Sequence, residues 1–511
     1  MTRVVVVGAG SNGLVAAIHL ARAGLDVEVL EHGPGPGGAS SSAELTLPGF
    51  VHDRHAGFNP ITMVSPAMRE LDLRVDWVNP PTPMAYPLPG GTAIALERDV
   101  EATAASLEAA GRGAGDGWRR LMARTVPNAE RLGALFLGRL PPVRAAAVIA
   151  LALRSEGLEM ARRAIGSVEA LGREVFAGAD GPMAWLASSA QHSGLPPGAA
   201  GTGAFGLLLH VVGHSHGWPF PRGGMQVLAD ELARLAAEAG ARVRCEARVE
   251  RILVRRGRAC GVGLAGGEEL GADAIVTTVS ARPLAAMLPD GALPARLMHR
   301  LRVWRYGTDA FKADYALSGP VPWTAPEARR AAVVQVAGEL RELARAGDQA
   351  THGEVPDRPA LVVGQHTLFD ETRAPAGRHT LYVYAHVPSR PAMDDEAIAE
   401  RMEAQLERFA PGFRALVLAR TLRPARETER QNPSLVGGDL AGGAYEIDQL
   451  AVFRPAPRLC RGRTPLRGLY VAGASVHPGG AVHGMSGRAA ARALLADRRL
   501  RPWRPWARPA G

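Results

Sequence analysis

Cysteine is scarce in this chain of 511 residues. Its three cysteines, Cys245, Cys260 and Cys460, include no Cys-x-x-Cys or similarly close pair. This spacing excludes a disulfide framework, a cysteine-rich zinc site and a redox-active dithiol. No secretory signal peptide is expected before the first apolar run, and the cytoplasm is therefore the predicted location.

Lysine is scarcer still, because Lys312 is the only one. The net charge of +9 is therefore carried by arginine, which is spread along the chain and interleaved with Asp and Glu. Nucleic-acid binding usually needs basic residues clustered on one face, so we predict no nucleic-acid partner. The Arg-, Pro- and Trp-rich tail, residues 498–511, is instead a candidate for peripheral contact with an anionic membrane surface.

The sequence has no apolar run long enough to cross a membrane. The longest run, residues 145–153, lies between Arg144 and Arg154 and is far short of the roughly 20 residues that span a bilayer. Residues 132–153 carry apolar side chains on more than one helical face, which predicts a buried helix. Two alternatives stay open for this stretch: the wall of an apolar substrate channel and a surface that touches a membrane.

Glycine, by contrast, is abundant, and its most informative arrangement is at the N-terminus. An apolar run, residues 3–7, leads into a Gly-x-Gly-x-x-Gly turn at Gly8, Gly10 and Gly13, and a helical stretch and a second apolar run then end at Glu31. In a dinucleotide site the first glycine allows the tight turn, the second lets the pyrophosphate approach, and the third lets helix and strand pack closely. Glu31, 18 residues after Gly13, is near the spacing of roughly 20 expected for an acid that binds a ribose hydroxyl.

The same glycine spacing starts again at Gly33, Gly201 and Gly261, as chance allows in a chain with 60 glycines. Only the N-terminal match follows an apolar β run and opens a helix. The match at Gly261 lies within a predicted strand, and the match at Gly201 has no strand before it. Context therefore favours the N-terminal match as a dinucleotide site, with a ligand-free strand–helix turn as the alternative.

The residues after the first turn help to choose the dinucleotide. Glu31 favours an adenosine with a free 2′-hydroxyl, as in FAD or NAD. A second glycine loop, residues 32–39, follows directly; a single NAD site needs no such loop, whereas FAD enzymes of the glutathione-reductase superfold commonly carry one. FAD is therefore the predicted cofactor. The cofactor-binding residues predicted in these two loops are Gly8, Gly10, Ser11, Asn12, Gly13, Glu31, His32, Gly37, Gly38 and Ala39.

Nucleotide-type segments occur at both ends of the chain and in its middle. Helical patterning dominates residues 99–177, apolar runs at 361–368 and 379–387 predict paired strands, and residues 396–409 predict an amphipathic helix. We predict an α/β fold in which a glutathione-reductase-type, Rossmann-like FAD-binding domain is discontinuous in sequence and carries an inserted α+β substrate domain. The predicted FAD-binding parts are 1–80, 221–290 and 456–497, the substrate parts are 81–220 and 291–455, and the basic tail is 498–511.

Further motifs accompany the N-terminal unit, and together they resemble a known family. The chain resembles the phytoene desaturase, carotenoid isomerase and retinol saturase group of FAD-dependent oxidoreductases over nearly its whole length. Within this group it is most similar to the branch typified by pyridine nucleotide-disulfide oxidoreductase domain-containing protein 2. The motifs are Pro221-x-Gly223-Gly224-Met225, Ala374-Pro375-Ala376-Gly377-Arg378-His379, Asn432-x5-Gly438-Asp439 and the closing run from Arg463 to Gly480.

This resemblance implies roles for residues outside the two glycine loops. The backbone of Val249 would contact the adenine, and Gly473 and Ser475 would lie beside the pyrophosphate and ribityl chain of FAD. Gly484 and Met485, at a helix N-terminus, would face the pyrimidine edge of the flavin. The positive end of a helix suits the negative charge that develops there on reduction.

Two histidines are candidate catalytic residues. His477 and His483 flank the glycine loop that the resemblance places beside the flavin, and histidine exchanges protons near neutral pH. The alternative is that both make structural hydrogen bonds within a tight loop. No metal site is predicted, because His210, His214 and His216 are close in sequence but no nearby Asp, Glu or Cys completes a ligand set.

The sequence leaves three functions open. The first is an FAD-dependent oxidoreductase that adds or removes hydrogen at a carbon–carbon bond of an apolar small molecule, such as an isoprenoid or polyene, by hydride transfer to or from flavin N5. The second is an FAD-dependent oxidase of a C–N or C–O bond in a small biosynthetic metabolite. The third is a non-catalytic flavoprotein-like scaffold. The sequence shows no second nucleotide-binding unit, so oxygen or a quinone is the predicted electron acceptor.

Overall fold

The computed structural model describes residues 2–138, residue 140 and residues 156–500. The apolar run at 145–153 and the part of the basic tail after residue 500 lie outside the described residues. The predictions made for those two stretches therefore stay predictions.

The described chain contains both strands and helices throughout its length. The strands are β1 (Arg3–Val7), β2 (Asp26–Leu30), β3 (Ser42–Glu44), β4 (Val51–Asp53), β5 (Trp77–Val78), β6 (Met84–Pro87), β7 (Ala93–Leu96), β8 (Phe220–Pro221), β9 (Arg242–Arg244), β10 (Val249–Arg255), β11 (Arg258–Leu264), β12 (Glu269–Gly271), β13 (Ala274–Thr277), β14 (Asp309–Leu317), β15 (Val333–Val336), β16 (Leu361–Gly364), β17 (His379–Val387), β18 (Val417–Arg423) and β19 (Leu469–Val471). The described α-helices are α1 (Ser11–Arg22), α2 (Pro60–Met63), α3 (Pro66–Arg69), α4 (Val100–Ala110), α5 (Ala114–Thr125), α6 (Ala129–Leu137), α7 (Glu156–Ile165), α8 (Val168–Phe176), α9 (Asp180–Ala190), α10 (Thr202–Ser215), α11 (Met225–Glu238), α12 (Ala281–Met287), α13 (Ala295–Arg302), α14 (Pro326–Arg329), α15 (Leu340–Thr351), α16 (Asp395–Phe409), α17 (Ala425–Gln431) and α18 (Met485–Leu500).

One sheet is fully parallel and has five strands in the order β19-β13-β1-β2-β9. Val4 and Val6 of β1 belong to an apolar core with α1, α11 and α18, whereas Val5 and Val7 belong to a second core with α12, α13 and the antiparallel sheet β10-β11-β12. Because both faces are covered, the strand is a continuous apolar run. The strands come from the start, the middle and the end of the chain, and the predicted discontinuous, Rossmann-like α/β fold is confirmed.

A second, seven-stranded sheet forms the other half of the molecule, in the order β18-β14-β17-β16-β15-β6-β7. Its neighbouring strands are antiparallel except for β15 and β6, which are parallel. The strands predicted at 361–368 and 379–387 are present and paired as β16 and β17, but β16 ends at Gly364 and residues 366–368 form a 3-10 helix. Helices α4 to α10 pack together around a large apolar core that contains Trp118 and Trp185. Side chains of this sheet belong to the same core. The exact domain boundaries stay a prediction.

Local backbone geometry sets two of these bounds. Strand β9 ends at Arg244, and β10 starts at Val249. The backbone between them turns at Glu246, whose φ of 52° is incompatible with a strand. The helix expected at 396–409 starts one residue earlier, after the N-cap Asp394. Within the part of the chain that is described, none of the helices is both long and apolar enough to traverse a bilayer.

Candidate functional site

The N-terminal glycine turn leaves one of its three glycines facing open space. Gly8 has a φ of +97°, and a Cβ atom there would lie 2.2 Å from Oγ1 of Thr278. A Cβ atom on Gly13 would lie 1.9 Å from the carbonyl oxygen of Gly8, so helix and strand touch. At Gly10 the nearest atom would be 3.9 Å away, on Gly37. The N-terminus of α1 is therefore open to a ligand at Gly10, as a pyrophosphate requires.

Glu31 joins the two glycine loops. One of its carboxylate oxygens accepts a hydrogen bond from the backbone N–H of Ala9 at 2.7 Å, and the other accepts one from Gly33 at 2.8 Å. The N–H of Gly37 in turn donates to the carbonyl oxygen of Ala9 at 2.9 Å. Each carboxylate oxygen has further lone-pair capacity, so Glu31 can still accept a ribose hydroxyl.

A single cavity of about 1120 Å³ connects these loops with the second sheet. Its lining extends from the glycine turns to Val333 and Val362 of the second sheet, and its volume exceeds the roughly 300–1,000 Å³ of a drug-sized ligand site. Most of the predicted cofactor-binding residues line it. These are Gly8, Gly10, Ser11, Asn12, Gly13, Glu31, His32, Gly37, Gly38, Ala39, Val249 and Gly473.

The other end of the cavity is apolar and aromatic. Among its described lining residues, three carry a formal charge at neutral pH: Glu31, Arg248 and Glu250. They lie together, because the N–H of Ala247 donates to the carbonyl oxygen of Glu31 at 2.7 Å. No charged side chain is among the described residues that line the opposite end. That end is lined by residues that include Phe58, Phe136, Leu137, Ile165, Phe205, Leu208, Leu209, Trp218, Val333, Val362, Leu435, Leu440, Leu450 and Phe453.

A buried charge network joins β3 and β4 to the start of α11. Asp53, at the end of β4, accepts hydrogen bonds from Ser42 at 2.7 Å, from the N–H of Met225 at 2.8 Å and from Arg373 at 2.7 Å. Burial alone would raise the pKa of Asp53, but the charge of Arg373 and these hydrogen bonds hold the pKa below its usual value. Arg373 also pairs with Asp370 at 3.0 Å. The motif around Gly223 and Gly224 is thus the capped start of α11.

Two of the three clustered histidines have structural contacts. His210 lies between the rings of Trp118 and Trp185, with Nδ1 2.6 Å from the carbonyl oxygen of Gly206. Nε2 of His214 accepts a hydrogen bond from the Trp118 indole at 3.0 Å. Among the described residues, no three His, Cys, Asp or Glu side chains are grouped closely enough to hold a metal ion.

The family of the protein follows from its sequence as a whole. The profile of the family described as flavin containing amine oxidoreductase matches residues 13–495. The chain belongs to this family. Its cofactor is FAD, and it is an FAD-dependent oxidoreductase. The open helix N-terminus at Gly10 and the cavity beside it fit such a cofactor, as predicted from the sequence.

Individual relatives agree with this membership. The rat pyridine nucleotide-disulfide oxidoreductase domain-containing protein 2 is 28% identical over 96% of this chain and 93% of its own length. Hydroxyneurosporene desaturase from Cereibacter sphaeroides is 30% identical over 97% of this chain and 98% of its own. A solved structure of a putrescine oxidase mutant has a TM-score of 0.64, at 15% identity over 98% of this chain and 99% of its own. The resemblance stated from the motifs is confirmed.

The two candidate catalytic histidines of this flavoprotein differ in position. His483 does not line the cavity: Nδ1 accepts a hydrogen bond from the N–H of Met485 at 3.0 Å, and Nε2 lies 3.1 Å from the carbonyl oxygen of Gly479. Burial lowers its pKa to about 4. With both nitrogens bonded to backbone, His483 holds the loop, and its expected part in proton transfer has no support in its contacts. His477 does line the cavity, and its Nε2 lies 2.8 Å from the carbonyl oxygen of Gly138.

Three other residues that were predicted to bind the cofactor also lie behind the cavity wall: Ser475, Gly484 and Met485. The Ser475 hydroxyl donates to the carbonyl oxygen of Gly442 at 2.6 Å and accepts from the N–H of Ala281 at 3.2 Å. A Cβ atom on Gly484 would lie 2.7 Å from Val15 of α1. Met485 starts α18. These residues shape the loop that carries the lining residues 477, 478 and 480–482. Their direct contact with FAD stays a prediction.

The polar residues at the apolar end are absent from the sequence-based predictions. Tyr382 and Tyr384 of β17 both line the cavity, and the Tyr384 hydroxyl lies 2.6 Å from Nδ1 of His192. The alternation of side chains along the predicted strand at 379–387 could have placed the two tyrosines on one face. His192 gave no such signal, because it comes from a segment 192 residues earlier in the chain than Tyr384.

Proposed function

We propose that this oxidoreductase adds or removes hydrogen at a carbon–carbon bond of an apolar small molecule of the isoprenoid or polyene type. The observation that carries the proposal is the charge distribution in the cavity. Among the described residues that line the cavity, three carry a formal charge, and all three lie at the end beside β10: Glu31, Arg248 and Glu250. A buried ammonium group needs an anionic partner, and the described residues of the other end offer none.

The side chains of the apolar end would bind and orient such a substrate. Phe205, Leu209 and Trp218 supply apolar surface, and the Trp218 indole N–H is bonded to the carbonyl oxygen of Leu209 at 3.0 Å. An apolar wall excludes water and binds hydrocarbon through its buried area. FAD, when bound, supplies the hydride acceptor or donor. His477 is the candidate for a proton-transfer residue of this chain, because it is the one of the two candidate histidines that lines the cavity.

The relatives support the same choice of substrate. Hydroxyneurosporene desaturase and the phytoene desaturases of Myxococcus xanthus and Rhodobacter capsulatus match at least 93% of this chain. The alternative, an oxidase of a C–N or C–O bond in a small metabolite, has the putrescine oxidase fold as its support, at lower identity. Oxygen or a quinone is the proposed electron acceptor, and peripheral contact of the basic tail with a membrane stays a prediction.

Anaerobic rapid mixing of the FAD-loaded protein with a substrate panel tests the proposal. The panel contains phytoene and a polyene in detergent micelles, and putrescine and a short alcohol in buffer. We expect phytoene to bleach the flavin absorbance band and to give a product with two hydrogens fewer. For the reverse direction, the photoreduced protein is mixed with the polyene, and we expect the band to recover.

Empty micelles serve as the control, because they change the light scattering but carry no hydrogen donor. Bleaching by putrescine or by the short alcohol, with no response to either hydrocarbon, would contradict the proposal and favour the oxidase alternative. Measuring hydrogen peroxide after air is admitted then separates oxygen from a quinone as the electron acceptor.

A further inference from the structure

A chain of hydrogen-bonded neutral side chains reaches the apolar end of the cavity. The Tyr384 hydroxyl lies 2.6 Å from Nδ1 of His192, and Nε2 of His192 lies 3.1 Å from the side-chain amide nitrogen of Gln335. The other end of that amide is hydrogen-bonded to Ser188. Tyr384 and His192 line the cavity, whereas Gln335 and Ser188 are fully buried behind them.

Hydrogen-bond counting shows that this chain is incomplete at Tyr384. If Gln335 donates to His192, then His192 donates to the phenol oxygen and the Tyr384 proton has no acceptor. If the amide is reversed, His192 donates to Gln335 and accepts from Tyr384, so the phenol oxygen keeps its lone pairs unused. Among the described residues, His192 is the sole hydrogen-bond partner of the Tyr384 hydroxyl. In both arrangements the Tyr384 hydroxyl can make one further hydrogen bond.

The neighbouring tyrosine differs in this respect. Tyr382 also lines the cavity, but its hydroxyl donates to the carbonyl oxygen of His55 at 2.5 Å. The segment after His55 is tied to the second glycine loop, because the N–H of Ala56 donates to the carbonyl oxygen of Ala39 at 3.1 Å. The rings of Tyr382 and Tyr384 meet edge to face with centroids 5.8 Å apart. Tyr382 is thus bonded to the segment that holds that loop, whereas the Tyr384 hydroxyl is bonded to His192.

The charge state of the pair decides what kind of group fits. Burial lowers the pKa of His192 to about 4, so its ring is neutral at pH 7. Burial also raises the pKa of Tyr384, which keeps the phenol protonated. A neutral donor–acceptor pair in an apolar wall disfavours ions, because a buried charge without a partner is costly.

We infer that the substrate is an apolar chain that carries one neutral hydroxyl group, and that this hydroxyl binds to Tyr384. A hydroxyl group both donates and accepts, and it therefore completes the chain in either arrangement of Gln335 and His192. The inference rests on the proposed function, since it specifies the substrate of the same cavity. Tyr384 is a binding residue in this account, and His192 is the residue that positions it.

A binding cycle on the FAD-loaded protein tests the inference. The probes are farnesol and the hydrocarbon in which hydrogen replaces its hydroxyl group, and the readout is the perturbation of the flavin absorbance spectrum. Comparing the two ligands in wild type and in Tyr384→Phe cancels their different hydrophobicity. We expect the preference for farnesol to fall about tenfold in Tyr384→Phe, as for the loss of one buried hydrogen bond.

Tyr382→Phe is the matched control, because it removes a hydroxyl from the same strand face that is already bonded to backbone. It should keep the wild-type preference. His192→Phe is a second variant, for the case that Tyr384→Phe does not fold. It removes the hydrogen-bond partner of Tyr384 and should also lower the preference for farnesol. An unchanged preference in Tyr384→Phe, or in His192→Phe if that alone folds, would overturn the inference and leave the proposed function standing. If neither ligand perturbs the flavin of wild type, the proposed function fails and the inference with it.

Discussion

At the scale of single residues, Gly10 gives the sharpest test of the cofactor site. Its φ of −72° and ψ of 172° suit any residue, and a side chain there would meet only open space beside Gly37. Gly10→Val should therefore fold normally but occupy the space that the pyrophosphate needs. We expect FAD affinity to fall roughly tenfold or more, measured by equilibrium dialysis of flavin against the apoprotein.

The control for this substitution is Gly35→Ala in the neighbouring loop. An added Cβ atom at Gly35 has no atom within 4 Å, and Gly35 does not line the cavity. Its FAD affinity should equal that of wild type. Equal affinities for Gly10→Val and wild type would place the dinucleotide elsewhere.

At the scale of elements, Arg373 joins β4 to the segment before α11, because it bonds to Asp53 and to the carbonyl oxygen of Pro221 at 3.0 Å. Its side chain is 1% exposed and pairs with Asp53 and Asp370. Arg373→Met leaves two carboxylates without their buried partner, and we expect a loss of about 3–5 kcal/mol in the free energy of unfolding, measured by urea denaturation. Arg345→Met is the matched control, because the Arg345–Asp357 ion pair is exposed and should contribute at most about 1 kcal/mol. Equal losses for the two variants would refute the role given to the buried network.

His210 makes the helical core sensitive to acid. Burial lowers its pKa to about 3, whereas the unfolded chain has a histidine pKa near 6.5. The unfolded state therefore binds the extra proton between these values, and stability falls as the pH is lowered from about 6.5 towards 3. In His210→Phe this loss should be smaller than in wild type by about 1.4 kcal/mol per pH unit within that window.

Urea denaturation at a series of pH values measures this difference. Met183→Leu, in the same core, is the control, because it changes packing without a titratable group. Its effect on the free energy of unfolding should be the same at every pH. A constant difference between His210→Phe and wild type would show that His210 has the same pKa in the folded and the unfolded state.

At the scale of the whole molecule, motifs formed by neighbouring residues were predictable from the sequence. Contacts between residues from distant segments were not. The turn from Gly8 to Glu31 was predictable because strand, glycines, helix and acid follow one another within one unit. The pairing of Asp53 with Arg373 joins residues 320 positions apart, and no periodicity signals it. The same holds for Tyr384 and His192. His483 was predicted to be catalytic because it is close in sequence to the flavin loop. Proximity in sequence does not tell which way a ring points, and both ring nitrogens of His483 are bonded to backbone.

We propose that FAD and an apolar substrate share one cavity, which starts at the N-terminal glycine turn. The difference absorbance spectrum of the purified, FAD-loaded protein during titration with an isoprenoid hydrocarbon in micelles tests this arrangement. We expect one FAD per chain and a saturable change of the flavin band that empty micelles do not cause. A flavin band that stays unchanged while the hydrocarbon binds, or a protein that takes up no FAD, would contradict it.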